Sequence, residues 1–117
     1  MIARAPSNET SNRRSFQRKA IRQTATIVHA EQSIEVRTWD LSVDGMCLVT
    51  PRPMPPGRHC TVTFAIPQDG RGDLTVTTSL KIVYSSYTGP EAFKVGAVFS
   101  NLDTDVAEAI SSFVTSP

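Results

Sequence analysis

Three arginines crowd a short stretch near the start of the chain, whose sequence is Arg13-Arg14-Ser15-Phe16-Gln17-Arg18. A guanidinium group is planar and permanently charged, and it can bind a phosphate through two parallel hydrogen bonds. It can also stack on an aromatic surface, including a nucleobase. The stretch is therefore suited to holding a phosphate and a base together. A solvated basic tail that only aids solubility is the alternative interpretation of these residues alone.

Positive charge is concentrated at this end of the chain. The protein has 117 residues and a net charge of +1, but residues 1–22 carry six positive charges against the single negative charge of Glu9. A protein that is basic throughout would suggest nucleic acid as the partner. A net positive charge that is concentrated in one arm indicates a small anion or a local patch instead.

A second polar stretch, Asp40-Leu41-Ser42-Val43-Asp44-Gly45, follows Trp39. Its simplest role is a tight connection between strands, in which Asp40 and Ser42 bond to nearby backbone and Gly45 supplies a positive φ angle. The same residues also complement the arginines. Asp can accept hydrogen bonds from the N1 and N2 edge of a guanine or orient an arginine. Ser can donate to a phosphate or a base, and Gly lets a ligand approach the backbone closely.

The elements that position these residues are predicted to be strands, because six segments have apolar residues at every second position. In the fifth segment this alternation places Tyr84 on the inward face together with Leu80 and Ile82. Short turns separate the segments, which favours an antiparallel sheet closed as a six-stranded β-barrel, since closure removes exposed strand edges. The segments are Thr24–Val28, Ile34–Trp39, Gly45–Thr50, Thr61–Ile66, Leu74–Tyr84 and Phe93–Phe99.

The period changes near the end of the chain, where a short helix is predicted. Asp103 or Asp105 can cap it, and Glu108 stands three residues after Asp105 as the second half of a capping box. One helical face is apolar, and we expect that face to cover one mouth of the barrel. It consists of Val106, Ala109, Ile110 and Phe113.

Length and composition bound the class of protein. A chain of this size forms one domain, since folding hides about two-thirds of its unfolded surface. No apolar run approaches the roughly 18 residues that cross a bilayer. Residues 1–6 lack the apolar stretch of a secretory signal. We therefore expect a cytoplasmic protein without membrane insertion.

Few residue types suggest other chemistry. Cys47 and Cys60 form no C-x-x-C pair and lie on separate predicted strands, so free buried thiols are expected rather than a disulfide. His29 and His59 have no neighbour at ligand spacing, which argues against a metal site. No serine with a base beside it and no glycine-rich phosphate loop is apparent, so we expect no catalytic residue and no enzyme activity.

Taken together, the two polar stretches resemble the signatures of the PilZ family. These are R-x-x-x-R in an N-terminal arm, matched by Arg14-Ser15-Phe16-Gln17-Arg18, and [DN]-x-S-x-x-G on a strand turn, matched by Asp40 through Gly45. Either pattern alone is weak, but the pair in this order is specific. The likeness covers about residues 12–115. It divides the chain into a disordered lead over residues 1–12 and a domain over residues 13–115.

The resemblance implies a six-stranded barrel that binds the bacterial second messenger cyclic di-GMP (c-di-GMP) and needs no other cofactor. In the family the residue before the first motif arginine affects whether one messenger or a stacked pair is bound, and here that residue is a further cation. The implied ligand-binding residues are Arg13, Arg14, Arg18, Asp40, Ser42 and Gly45.

The resulting hypothesis is a receptor whose arm is loose when empty and folds across the barrel when ligand bridges the two. It would signal to an unidentified effector protein of motility, pilus or polysaccharide machinery, as a monomer or weak dimer. Two alternatives stay open. One is a PilZ-like module that docks a partner without binding nucleotide. The other is a small barrel that binds single-stranded nucleic acid through its basic arm.

Overall fold

The computed structural model describes residues 16–117. Within this range the chain forms seven β-strands followed by one α-helix. The strands are β1 (Lys19–Ala20), β2 (Thr24–His29), β3 (Gln32–Leu41), β4 (Gly45–Thr50), β5 (His59–Gln68), β6 (Gly72–Gly89) and β7 (Ala92–Ser100), and the helix is α1 (Thr104–Thr115).

The sheet closes on itself. Its strand order is β1-β3-β2-β5-β6-β7-β4, and β3 also pairs with β4, so that six strands form a ring. Every pairing is antiparallel. This confirms the predicted six-stranded antiparallel barrel. The short strand β1 is an addition that pairs with the last two residues of β3, Asp40 and Leu41.

The barrel is filled by the side chains that the alternating pattern places inside. Successive side chains of a strand point to opposite faces, so one set lines the interior and the other faces outward. The largest fully buried apolar side chains are Ile27, Leu41, Met46, Leu48, Ile66, Leu80 and Ile82 from the strands and Ile110 from the helix.

Helix α1 packs on this core, as the sequence predicts. Ile110 and Val114 are buried, and Val106 and Phe113 are partly buried against the core. The predicted capping box is wrong. Asp103 is the N-cap residue, without a side-chain capping bond, and Asp105 lies in the first helical turn.

The inward placement predicted for Tyr84 is also wrong. Ile82 pairs with Ala97 and Tyr84 pairs with Gly96, so Val83 is an extra residue that forms a β-bulge. A bulge shifts the alternation by one residue and turns the following side chains to the other face. Tyr84 therefore stands on the outside of the barrel, where 40% of it is exposed.

No helix among residues 16–117 has the length and apolar character needed to span a membrane.

Candidate functional site

The two polar motifs meet on the outside of the barrel. The guanidinium of Arg18 donates a hydrogen bond to the carboxylate of Asp40, with an Nη1–Oδ1 distance of 2.7 Å. The backbone produces this contact because β1 lies against the end of β3, with Ala20 opposite Asp40. Cross-strand partners share a face, as do residues two apart in an extended chain. Arg18 directly precedes β1 and lies two residues before Ala20, so it falls on the face of Asp40.

A β-bulge in β3 sets the direction of Asp40. Thr38 pairs with Leu48 and Asp40 pairs with Cys47, which leaves Trp39 as the extra residue. Without this extra residue, Asp40 would follow Thr38 toward the core, because residues two apart share a face. The bulge therefore presents the carboxylate on the outer surface beside the first motif.

The turn after Asp40 is built differently from the sequence expectation. Gly45 is not among the glycines with positive φ. Its lack of a side chain is needed for another reason, since a Cβ there would lie 2.9 Å from the Cα of Val98 and closer still to the carbonyl oxygen of Ala97. Gly45 thus permits close approach of the neighbouring strand β7. Its predicted contact with a ligand stays a prediction.

Ser42 is fully buried in the same turn. Its hydroxyl donates to the carboxylate of Asp44, and its backbone N–H donates to the carbonyl of Gly45 at 2.9 Å. The peptide N–H of Phe99 donates to the carbonyl of Asp44 at 2.9 Å, which fixes the turn to the end of β7. Ser42 therefore stabilises the turn and orients Asp44.

A cleft of about 250 Å³ lies beside the Arg18–Asp40 pair, and we name it the Asp40 cleft. It contains two cationic side chains and two carboxylates, together with the ring of Tyr84, so it offers partners for both charged and aromatic groups of a ligand. Its lining residues are Arg18, Asp40, Asp44, Met46, Cys47, Val83, Tyr84, Lys94, Gly96, Ala97 and Val98.

Tyr84 lies flat against Gly96 in this cleft. A Cβ at Gly96 would stand only 2.6 Å from Cζ of the Tyr84 ring, so glycine is required for this contact. The Tyr84 hydroxyl is 3.9 Å from the sulfur of Cys47, which is buried. Burial raises the pKa of the Cys47 thiol and also raises the pKa of the Tyr84 phenol. Both groups are therefore neutral at physiological pH.

The Trp39 ring contacts two cations. The guanidinium carbon of Arg22 is 3.6 Å from the centre of the Trp39 ring, and the ammonium of Lys94 is 5.3 Å from it. Arg22 also donates to the carbonyl of Trp39 at 3.0 Å. These cation–π contacts hold the partly exposed Trp39 ring against Arg22, and Lys94, which also lines the Asp40 cleft, contacts the same ring.

The other predicted site residues and chemistries stand as follows. Arg13 and Arg14 lie outside the described residues. A larger groove of about 610 Å³ separates α1 from the β5–β6 turn, and it contains neither motif. Among residues 16–117, no three of His, Cys, Asp and Glu cluster in a way that could hold a metal ion.

Comparison with known proteins decides the family. The model of the PilZ domain family matches residues 12–116. The chain belongs to the PilZ domain family. No curated protein sequence is similar enough to match it.

Solved structures share the fold of this PilZ domain at low sequence identity. The Bacillus subtilis inhibitor of motility (MotI/DgrA) superposes with a TM-score of 0.73 at 14% identity, over 85% of this chain and 48% of that one. The PilZ domain of YcgR from Escherichia coli, with c-di-GMP, gives 0.66 at 16% identity over 87% and 88%. The complete YcgR in complex with c-di-GMP gives 0.63 at 15% identity over 86% and 43%. The PilZ domain thus spans about half the length of MotI and of YcgR.

The sequence pattern does not identify Lys94, Cys47 and Tyr84 as residues of the Asp40 cleft. Lys94 and Cys47 fall on outward positions of their strands, but alternation alone does not show which outward residues border a cleft. Tyr84 was assigned to the wrong face, since the bulge at Val83 carries no marker residue such as glycine or proline. The one feature of the sequence that could have indicated Tyr84 is its aromatic side chain on β6, since β6 and β4 both pair with β7.

Proposed function

We propose that this PilZ domain is a receptor that binds c-di-GMP in the Asp40 cleft. The contact between Arg18 and Asp40 carries the proposal, because it joins the two motifs across 22 residues of sequence. Arginine and carboxylate side by side can bind a phosphate and the N1–N2 edge of a guanine, respectively. Similarity to two structures of YcgR with c-di-GMP supports this ligand.

We propose a separate role for each of the predicted residues. Arg18, with Arg14, binds phosphate and guanine, and Asp40 accepts hydrogen bonds from a guanine. Ser42 and Gly45 act on the shape of the turn, since Ser42 is buried and Gly45 abuts β7. Arg13 is the further cation that would favour a stacked pair of messengers over a single one.

Lys94 and Tyr84 are added to the proposed ligand-binding residues because both line the Asp40 cleft. The Lys94 ammonium at the edge of the cleft can neutralise the second phosphate of the ligand. The ring of Tyr84 offers a surface on which a base can stack, and such stacking contributes about 1–3 kcal/mol per base. The cleft would thus offer the ligand two cations and an aromatic ring.

Calorimetric titration with c-di-GMP tests the assignment and reports the stoichiometry. Binding at micromolar concentration or below is expected, and its absence refutes the proposal. The salt dependence separates this function from single-stranded nucleic-acid binding, where many phosphate contacts give a steep decline in affinity with salt. Chromatography of the nucleotide after incubation should recover it intact, since we propose binding without turnover.

The arm hypothesis concerns the residues before and including Arg18. Ligand that bridges the arm and the barrel should slow amide exchange over residues 10–20. Unchanged exchange on addition of saturating c-di-GMP would contradict the ordering of the arm. It would not contradict ligand binding, which the calorimetric titration tests separately.

A partner protein is proposed to receive the signal. Similarity to an inhibitor of motility favours a component of motility machinery over pilus or polysaccharide machinery. Affinity capture with the wild-type domain and with Arg18→Ala, each with and without c-di-GMP, tests this. Recovery of the same motility component under all four conditions would contradict a ligand-dependent signal.

A further inference from the structure

Lys19 fastens the N-terminal strand to the end of the C-terminal helix. Its ammonium donates to the Ser116 hydroxyl at 2.8 Å and to the carbonyls of Phe113 and Ser116 at 3.3 Å. The same ammonium lies 4.6 Å from the centre of the Phe113 ring. These partners are more than 90 residues away in sequence, with separations of 94 and 97.

These contacts lie at the C-terminal end of α1, where a positive charge is stabilising. The last carbonyls of a helix have no partner within it and form the negative end of the helix dipole. The last turn of α1 contains no basic residue of its own. Lys19 therefore supplies from β1 the positive charge that this end would otherwise obtain from the helix sequence.

Lys19 directly follows Arg18 in the sequence, and Arg18 lines the Asp40 cleft. In β1, Lys19 stands opposite the buried Leu41 and Ala20 stands opposite Asp40. Adjacent residues of a strand face opposite sides. Arg18 consequently points to the cleft on the outer surface, while Lys19 points to the C-terminal end of α1.

Strand β1 has few other attachments. Its ladder consists of two residue pairs with β3, and the next backbone bond runs from the N–H of Ile21 to the carbonyl of Trp39 at 3.1 Å. An element with so few hydrogen bonds can shift or open locally without unfolding the domain. The position of Arg18 then depends on how firmly Lys19 is held.

We propose that Lys19 is a positioning residue that couples the Asp40 cleft to the C-terminal end of α1. This coupling rests on the proposed binding of c-di-GMP. Ligand that grips Arg18 immobilises β1, which in turn holds Lys19 against the last helical turn. Because coupling between two sites is reciprocal, loosening the helix end weakens ligand binding by the same factor. The helix end is thus the part of the domain that reports ligand occupancy to a partner.

Amide exchange over residues 110–116 of the full chain tests this coupling. Without ligand, Lys19→Met should exchange about two- to fivefold faster there, as expected for loss of a charge at a helix end. Saturating c-di-GMP should slow exchange at these residues in the wild type and not in Lys19→Met. The affinity of Lys19→Met should fall about two- to fivefold. Lys19→Arg should restore the response of the helix.

Lys81→Met is the matched control, because it removes the same charge from an exposed position on β6. It should leave both helix exchange and its ligand response at wild-type values. Binding of c-di-GMP to the wild type with unchanged or faster helix exchange overturns the coupling alone. Equal helix responses in the wild type and Lys19→Met overturn it as well. Absence of binding overturns the proposed function and the coupling together.

Discussion

Replacement of Arg18 by alanine should separate ligand binding from stability. The guanidinium contacts Asp40 at 2.7 Å, but the two side chains are 45% and 26% exposed. Water and salt screen such a pair, and exposed ion pairs contribute about 0–1 kcal/mol to the free energy of unfolding. Arg18→Ala should therefore lower the free energy of unfolding by no more than about 1 kcal/mol.

The same change should cost far more in affinity. A hydrogen bond to a charged group contributes about 1.5–3 kcal/mol, and the proposed partner of Arg18 is a charged phosphate. Since about 1.4 kcal/mol corresponds to a factor of ten, the Kd for c-di-GMP should rise by about one to two decades. Asp40→Ala should raise the Kd by somewhat less, because the carboxylate contacts the base and not the charged phosphate.

Calorimetric titration at fixed ionic strength measures the affinity, and urea unfolding of the same preparations measures the stability. Arg71→Ala is the matched control, since it removes an exposed arginine in the β5–β6 turn and outside the Asp40 cleft. Wild-type affinity in Arg18→Ala would refute the assignment of the cleft. A loss of stability as large as the loss of affinity would show that the fold, and not the contact, had been damaged.

Three further outcomes are expected. Gly45→Ala should lower the free energy of unfolding by about 1–3 kcal/mol or more, because the added Cβ would clash with the backbone of β7. Urea unfolding measures this change, and wild-type stability would contradict it. Tyr84→Ala should raise the Kd for c-di-GMP at least about fivefold. Gly96→Ala displaces the Tyr84 ring, so adding it to Tyr84→Ala should raise the Kd little further. Titrations in which the two changes in binding free energy are fully additive would show that the two substitutions do not act through the same ring. Burial raises the pKa of the Cys47 thiol, so the folded state favours the protonated form. The protonated Cys47 thiol therefore contributes to the free energy of unfolding in full below about pH 8.5, the pKa of an unperturbed thiol. This contribution is lost as the pH rises through the raised pKa of the folded state. Cys47→Ala should thus reduce the decline in unfolding free energy as the pH rises above about 8.5, and identical pH profiles of the variant and the wild type would rule out this origin.

Much of the fold follows from local sequence pattern. Apolar residues at every second position identify the strands of the ring, and the apolar face that contains Ile110 and Phe113 identifies the helix that packs on them. These patterns are readable because period and burial are coupled within each element. The motif that contains Arg18 and the motif that contains Asp40 are likewise visible from residue types and spacing alone.

Features that depend on pairing between distant residues needed the structure. The extra residues Trp39 and Val83 reverse the alternation in β3 and β6, and neither carries a marker in the sequence. Register is decided jointly by both strands and by the core they enclose, so one strand cannot disclose a bulge. This is why the face of Tyr84 was predicted wrongly.

The sequence by itself thus determined the strand pattern, the apolar helix face and the chemistry of the two motifs. Only the tertiary structure decided that Arg18 touches Asp40, that Gly45 serves strand packing, and that Lys19 holds the helix end. The physical reason is the same in each case. Residue type and period act locally, whereas a contact between residues far apart in sequence exists only once the closed sheet has fixed the path of both segments.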